Sequence, residues 1–300
     1  MSFRFYSFPF LSILMASIIS LSAFADTDNN QPGQGMTTIM LENASDVSSA
    51  VAELTAELEQ QGFTIPLTVN HSAAATSVDL DLTPNQIIFA RPPKFIEKRL
   101  LRKSETIGLD MPFKLLVFED PNGNVKLSVN TLGYLIDRHK IGIRDLVLRM
   151  TDKLIEQFGT LGDEGHGLIS VKSSQSIEDT VQALQAAISV NPDVRIPLVL
   201  NYKNSGSIKS QKRGQKSFPV LIVFGNPNVG TPLMLADPRM GIDLPLKYLV
   251  WEDQQGQGLI TYNDPHFIAR RVNLQGQDER LDAIAKVLKK LALAGAGGDS

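Results

Sequence analysis

Four histidines, His71, His139, His166 and His266, are the first residues to weigh for chemistry. A metal centre needs converging ligands, as in His-x-x-x-His on one helix face, and no such spacing occurs. The chain has no cysteine, which removes thiolate ligands, disulfides and cysteine nucleophiles together. No metal and no cofactor is therefore expected. His71 follows Asn70 at the end of an apolar run and is the candidate for a polar pocket; in a solvated loop it would be inert. His166 stands in a glycine-rich linker. His266 follows Asp264-Pro265, where a role in starting a helix suffices.

Paired carboxylates can serve general acid–base chemistry when burial splits their pKa values. Glu119-Asp120 and Glu252-Asp253 are such pairs by type. Neighbours on a strand point to opposite faces, however, so the members of one pair cannot act on one bond. They read as acids entering turns, and so do Asp110 and Asp243. No Gly-x-Ser-x-Gly elbow occurs. The run Gly225-Asn226-Pro227-Asn228-Val229-Gly230 lacks the lysine of a phosphate loop, although its amides could form a small anion nest. No catalytic residue is assigned.

Basic side chains cluster twice: Arg91, Lys94, Lys98, Arg99, Arg102 and Lys103, then Lys203, Lys209, Lys212, Arg213 and Lys216. Interleaved aromatics that could stack bases are nearly missing, and the net charge is -3, so nucleic acid is not an expected partner. A solvated face explains the clusters; weak contact with anionic surfaces is the sharper reading.

The compartment follows from the first residues. Arg4, an apolar run from Phe8 to Ile19, and Ala23-Phe24-Ala25 before Asp26 have the form of a cleaved secretory signal, residues 1–25, with an uncleaved anchor as the alternative. Loss of Arg4 alone takes the net charge from -3 to -4. Residues 26–35 read as a flexible tether, and the periplasm is the expected destination.

The rest of the chain is one unit written twice. Residues 108–130 match 241–263 at a constant offset of 133, pairing Gly108/Gly241, Asp110/Asp243, Pro112/Pro245, Lys114/Lys247, Glu119/Glu252, Asp120/Asp253, Gly123/Gly256 and Asn130/Asn263. Upstream, Ile65-Pro66-Leu67 and Asn70 match Ile196-Pro197-Leu198 and Asn201. Pro84, Phe89 and Pro92 align with Pro219, Phe224 and Pro227. The predicted domains are residues 36–158 and 168–296, joined by a linker at 159–167.

Each unit predicts the same elements. A short strand (37–41; 168–171) leads into an amphipathic helix capped by Asp46 or Ser176, with Val47, Val51, Leu54 and Leu58 equivalent to Ile177, Val181, Leu184 and Ile188. A second strand ends at Asn70 or Asn201. A third covers 86–90 or 220–224, followed by a connection of helical character (93–104; 231–236). A hairpin follows, 114–119 with 125–130 and 247–252 with 259–263, turning at Asn122-Gly123 or Gln255-Gly256. A closing helix presents Leu148, Leu154, Ile155 and Phe158, or Leu281, Val287, Leu288 and Leu291, to the core. Hairpin-linked strands with helices packed on one face make the fold class α+β.

Phe224-Gly225-Asn226-Pro227, Gly230-Thr231-Pro232-Leu233-Met234, Asp243-Leu244-Pro245, Trp251-Glu252-Asp253 and Tyr262-Asn263-Asp264-Pro265 together resemble the family known as domain of unknown function 302. With the weaker first copy, the resemblance covers nearly the whole mature chain. It implies two tandem β-α-β(4)-α units, like the TATA-binding protein in fold, and it implies no reaction. That family carries Asp-His at the end of its second strand; here stand Asn70-His71 and Asn201-Tyr202, and the first copy has Phe89-Ala90-Arg91-Pro92 in place of Phe-Gly-Asn-Pro. Neither copy holds the full set. The expected function is non-catalytic binding of a small ligand or a protein partner, with Asn70, His71, Asn201, Tyr202, Gly225, Asn226 and Asp243 as candidate ligand-binding residues in a groove between the copies. An envelope enzyme using His71 and a structural or stress-protective protein are the alternatives. Oligomeric state is left open.

Overall fold

The computed structural model describes residues 35–141, 165–205 and 217–298. The expected signal, the expected tether up to residue 34, the expected closing helix of the first copy, most of the expected linker and Lys209, Lys212, Arg213 and Lys216 lie outside these. The described residues form two antiparallel five-stranded sheets with helices, an α+β fold in two repeated units.

The first unit comprises β1 (Met36–Met40), α1 (Val47–Gln60), β2 (Thr64–Asn70), α2 (His71–Thr76), β3 (Asn85–Arg91), α3 (Lys94–Lys103), a 3₁₀ segment (Glu105–Leu109), β4 (Phe113–Glu119), β5 (Val125–Asn130) and α4 (Leu132–Arg138). The second comprises β6 (Leu168–Ser173), α5 (Ile177–Ser189), β7 (Arg195–Asn201), a 3₁₀ turn (Tyr202–Ser205), β8 (Val220–Gly225), α6 (Pro227–Ala236), a 3₁₀ segment (Pro238–Asp243), β9 (Leu246–Glu252), β10 (Gly258–Asn263), α7 (Pro265–Arg271) and α8 (Asp278–Gly295). The strand orders are β1-β5-β4-β3-β2 and β6-β10-β9-β8-β7.

Local chemistry accounts for the boundaries. Asp46 accepts from the Ser49 amide at 2.8 Å and Ser176 from the Asp179 amide at 3.1 Å, so both predicted caps satisfy a backbone donor that the helix itself cannot. β2 and β7 are edge strands, and each is irregular in register around its proline (Thr64/Leu67 and Arg195/Leu198). Pro66 and Pro197 have no N–H to give a ladder, which an edge tolerates. In the hairpin turns Asp120 accepts from the Asn122 and Asn124 amides and Asp253 from those of Gln255 and Gln257, as turn-entry acids should.

Each sheet has two buried faces. On one face of the first, Ile88, Ala90, Leu115 and Val117 pack against Val47, Val51 and Leu58 of α1. In the second unit α5 lies on β8 and β9, with α8 packed along α5. The other faces look toward the partner copy. Ile87, Phe89, Leu116 and Phe118 join Leu221, Val223, Leu249 and both 3₁₀ segments in one continuous core. Each fully buried aliphatic or aromatic side chain contributes ~1.5–3 kcal/mol.

Three expectations require correction. Ile87 pairs with Leu116, and Leu221 with Leu249, so β3 and β8 align at an offset of 134. Phe89 is thus equivalent to Val223, not to Phe224. A one-residue slip exchanges the faces of a strand, and Phe224 stacks on Tyr248 at 4.9 Å on the helix side while Phe89 faces the partner copy. In α8 the buried stripe is Leu281, Ile284, Leu288, Ala292 and Gly295; Val287 is exposed. Leu184 is fully buried, whereas Leu54 is only half-buried.

Candidate functional site

The two 3₁₀ segments exchange places across the pseudo-dyad. The first copy's segment sits on β9, and the second copy's on β4. The approach depends on glycine. A Cβ on Gly108 would lie 2.9 Å from Leu249 Cδ1, and one on Gly241 would lie 2.8 Å from Leu116 Cδ1. An aspartate closes each segment, Asp110 just after the first and Asp243 as the last residue of the second, four residues before a strand lysine, Lys114 or Lys247. All four are buried at this seam.

Arg138, at the end of α4, and Arg271, at the end of α7, complete it. The Arg138 guanidinium donates to Asn263 Oδ1 of the other copy, and Arg271 Nη2 donates to Asn130 Oδ1 of the other copy at 2.5 Å. Arg271 lies over the Tyr134 ring at 4.2 Å, and Arg138 over Phe267 at 5.3 Å. Tyr134/Phe267 and Arg138/Arg271 are again 133 apart. These contacts are isologous: each copy does to its partner what the partner does to it. Arg138 Nε also pairs with Asp110 at 3.1 Å, and Arg271 with Asp243.

The lysines break the symmetry. Lys114 Nζ reaches Asp243 Oδ1 of the other copy at 2.8 Å and its own Asp110 Oδ1 at 3.2 Å. Lys247, its equivalent, donates among the described residues only to the Asp243 carbonyl, at 3.4 Å. His139 has Val272 as its counterpart. Its Nε2 donates to Asp110 Oδ2 at 2.8 Å, leaving Nδ1 to accept from the Thr106 hydroxyl at 3.0 Å.

Titration follows from these partners. Burial alone would raise Asp110, but Arg138, Lys114 and the His139 hydrogen bond outweigh it and hold the carboxyl well below the usual carboxylate range. Burial is likewise overcome at Asp243, by Arg271 and Lys114. Lys114 gains more from Asp243 and Asp110 than it loses by burial and is raised. At Lys247 burial and the neighbouring Lys114 charge prevail and bring the ammonium down to about 7.

The sequence-predicted residues divide between capping and this seam. Asn70 caps α2 by accepting from the Ala73 amide at 2.8 Å, Asn201 accepts from the Lys203 amide at 2.8 Å, and Asn226 caps α6 through the Asn228 amide at 2.9 Å. None of the three is buried. Gly225 ends β8 against Pro245, where a Cβ would stand 3.1 Å from the proline Cβ. Tyr202 is fully buried and donates to the Gly108 and Met111 carbonyls of the other copy at 2.9 and 2.5 Å. His71 occupies the equivalent place. It is 4% exposed, so the solvated-loop reading is wrong. Burial pushes it down to about 4, against the Gly241 and Leu244 carbonyls that favour its protonated form. His71 and Asp243 are therefore brought to the same second-copy segment, from opposite copies; the three asparagines are not.

Asp110 and Asp243 are not turn acids either; they are the anionic centre of the seam. Arg91 is no solvated cation, since it makes a two-pronged pair with the buried Glu97 at 2.6 and 2.9 Å. His266 donates its amide to Asp264 at the α7 start and contacts Asp282 Oδ1 through Nε2 at 2.9 Å. Sequence reasoning missed Arg138 and Arg271, although their shared offset carried the signal eight residues past Asn130 and Asn263. Among the described residues no three acid or histidine side chains converge as a metal-ligand set.

The chain belongs to the family described as domain of unknown function DUF302, whose model matches residues 39–158 and again 169–292. It is 33% identical over 111 residues to the fluoride-specific ion channel FluC 1 of Brucella suis biovar 1 (strain 1330), covering 36% of this chain and 41% of the relative. The same identity and length hold for FluC 1 of Brucella abortus and FluC 2 of Brucella melitensis, each covered to 38%. The chain thus spans about two fifths of the curated relatives it matches. A crystal structure of an uncharacterized conserved protein DUF302 from Bacillus stearothermophilus aligns with TM-score 0.38 and 16% identity, over 43% of this chain and 97% of that one.

Proposed function

We propose that this protein is exported to the periplasm and acts there by binding a small ligand, without catalysing a reaction. The observation that carries the non-catalytic reading is the fate of the repeated ionisable groups: Asp110, Asp243, Lys114, Arg138 and Arg271 are committed to one another in buried ion pairs, three within a copy and one, Lys114 with Asp243, between the copies. An enzyme using His71 as base is disfavoured, because an imidazole pushed down to about 4 is a weak proton acceptor at neutral pH. Export rests on the apolar leader and its Ala-x-Ala end. No described helix is long and apolar enough to cross a membrane.

The ligand class we favour is a small anion. The curated relatives are named for fluoride conduction, and the buried seam of this chain holds more cations than carboxylates. The buried contacts across the seam also favour the structural reading, in which the two copies form one block. Contact with anionic surfaces through the basic residues of α3, and with a protein partner, stays within the proposal; nucleic acid does not.

The test expresses the whole chain with its leader and recovers it from the periplasm. A mature N-terminus at Asp26 and a melting temperature raised by members of a ligand panel are the expected results, since a ligand selective for the native state stabilises it by mass action. Retention in the cytoplasm would defeat the export reading. An unresponsive melting temperature across anions and organic ligands would defeat the binding reading and leave the structural one.

A further inference from the structure

With Lys247 protonated, the seam contains four buried cations, Lys114, Lys247, Arg138 and Arg271, against two buried carboxylates, Asp110 and Asp243. His139 and Tyr134 do not redress the balance: burial lowers the one and raises the other, so both are neutral near pH 7. The excess is localised. Lys114 takes an oxygen from each carboxylate, the arginines take the other two oxygens, and each arginine also has an asparagine. Lys247 is left with a single weak bond to a carbonyl 3.4 Å away. An ammonium has three donors, so at least two of its N–H directions are without protein partners among the described residues. A buried charge in that condition is strongly unfavourable unless it sheds its proton or acquires a counter-charge.

We propose that Lys247 Nζ is the binding site for one small monovalent anion, of halide size, held at the seam between the two copies. The inference rests on the small-ligand reading above and gives that ligand a chemical class and a place. Size follows from burial: Lys247 is 3% exposed, and a fully buried ammonium favours an ion of one atom over an organic acid or phosphate, which would need several more donors. Charge follows from the count, because one monovalent anion offsets part of the cationic excess, whereas a water would satisfy hydrogen bonds and leave the charge unchanged. Pseudosymmetry places the site at Lys247 rather than Lys114, since the carboxylates are already drawn to the latter.

Binding is coupled to protonation. The charges that act on Lys247 are those of Lys114 from β4, Asp243 and Asp110 from the ends of the two 3₁₀ segments, and Arg138 from α4. The aspartates are held ionised and Arg138 and Lys114 charged throughout the neutral range, so Lys247 is the group among these that titrates there. With its unliganded value at about 7, anion affinity should be about a hundredfold weaker at pH 9 than at pH 6.

The experiment titrates the mature protein with sodium fluoride, chloride and bromide against sodium gluconate at equal ionic strength, reading melting temperature at pH 6 and pH 9, in wild type and Lys247→Met. The expected result is a saturable halide response in wild type at pH 6 that fades at pH 9 and is absent from the variant. Bromide-soaked crystals of the wild type give a second measurement should the variant fail to fold: an anomalous peak within hydrogen-bond distance of Lys247 Nζ is expected, and its absence overturns the assignment. A response that survives Lys247→Met overturns this site while leaving anion binding intact. Silence to halides with a response to an organic ligand overturns the inference but not the binding reading. Silence to every ligand overturns both.

Discussion

Replacing Asp243 with asparagine removes a carboxylate that Lys114 and Arg271 share across the two copies. The substitution nearly preserves shape, so the change in stability is electrostatic. It leaves Lys114, Lys247, Arg138 and Arg271 with Asp110 as their remaining buried carboxylate, and neither Lys114 nor Arg271 can reach water. Breaking one side of a buried ion pair costs ~3–5 kcal/mol, because the surviving charge is desolvated without compensation. Urea unfolding of Asp243→Asn at pH 7 should therefore show that loss with an unchanged m-value. The pH dependence supplies an internal check. A carboxyl held below its ordinary value of 3.8 stabilises the fold above that pH and loses its contribution as pH falls through the folded value. The deficit of the variant should thus shrink in strong acid. A loss below ~1 kcal/mol at pH 7, the size expected of an exposed pair, would refute the reasoning.

His71 predicts a different acid limb. An imidazole lowered from 6.5 to about 4 contributes fully above 6.5 and is lost as pH falls toward 4, which amounts to about 3 kcal/mol. His71→Gln should flatten the stability profile between those limits, and an unaltered profile would place His71 in solvent. Leu184→Ala in the α5–α8 contact should cost ~2–5 kcal/mol by denaturant unfolding, and Leu54→Ala, half-buried on α1, clearly less; equal costs would contradict the burial difference.

Much of this fold was legible because local rules and tertiary needs agree. Asp46 and Ser176 cap their helices, Asn-Gly turns a hairpin, and the offset of 133 reflects two copies held to one backbone. The register of β3 and β8 was not legible. Phenylalanine aligned with phenylalanine, but which face a strand residue occupies depends on pairing with β4 or β9, a nonlocal fact. Asp110 and Asp243 misled for a similar reason. Beside proline and glycine an aspartate looks like a turn residue; its cations come from an arginine 28 residues on in the same copy and, for Asp243, from Lys114 of the other copy as well. His71 and Tyr202 end an edge strand and look solvated for the same reason; the partner copy buries them. Short helices such as α2, α4 and α7 carry too few residues to display a period.

The central claim is that the copies clasp each other reciprocally, arginine to the opposite asparagine. A pair of double-mutant cycles measures it directly: Arg138→Met with Asn263→Ala, and Arg271→Met with Asn130→Ala, each read by urea unfolding. Coupling of about 1–3 kcal/mol in both cycles, with clearly weaker coupling for the same-copy pair Arg138 and Asn130, is the predicted result. Strong coupling within a copy and none between copies would contradict it.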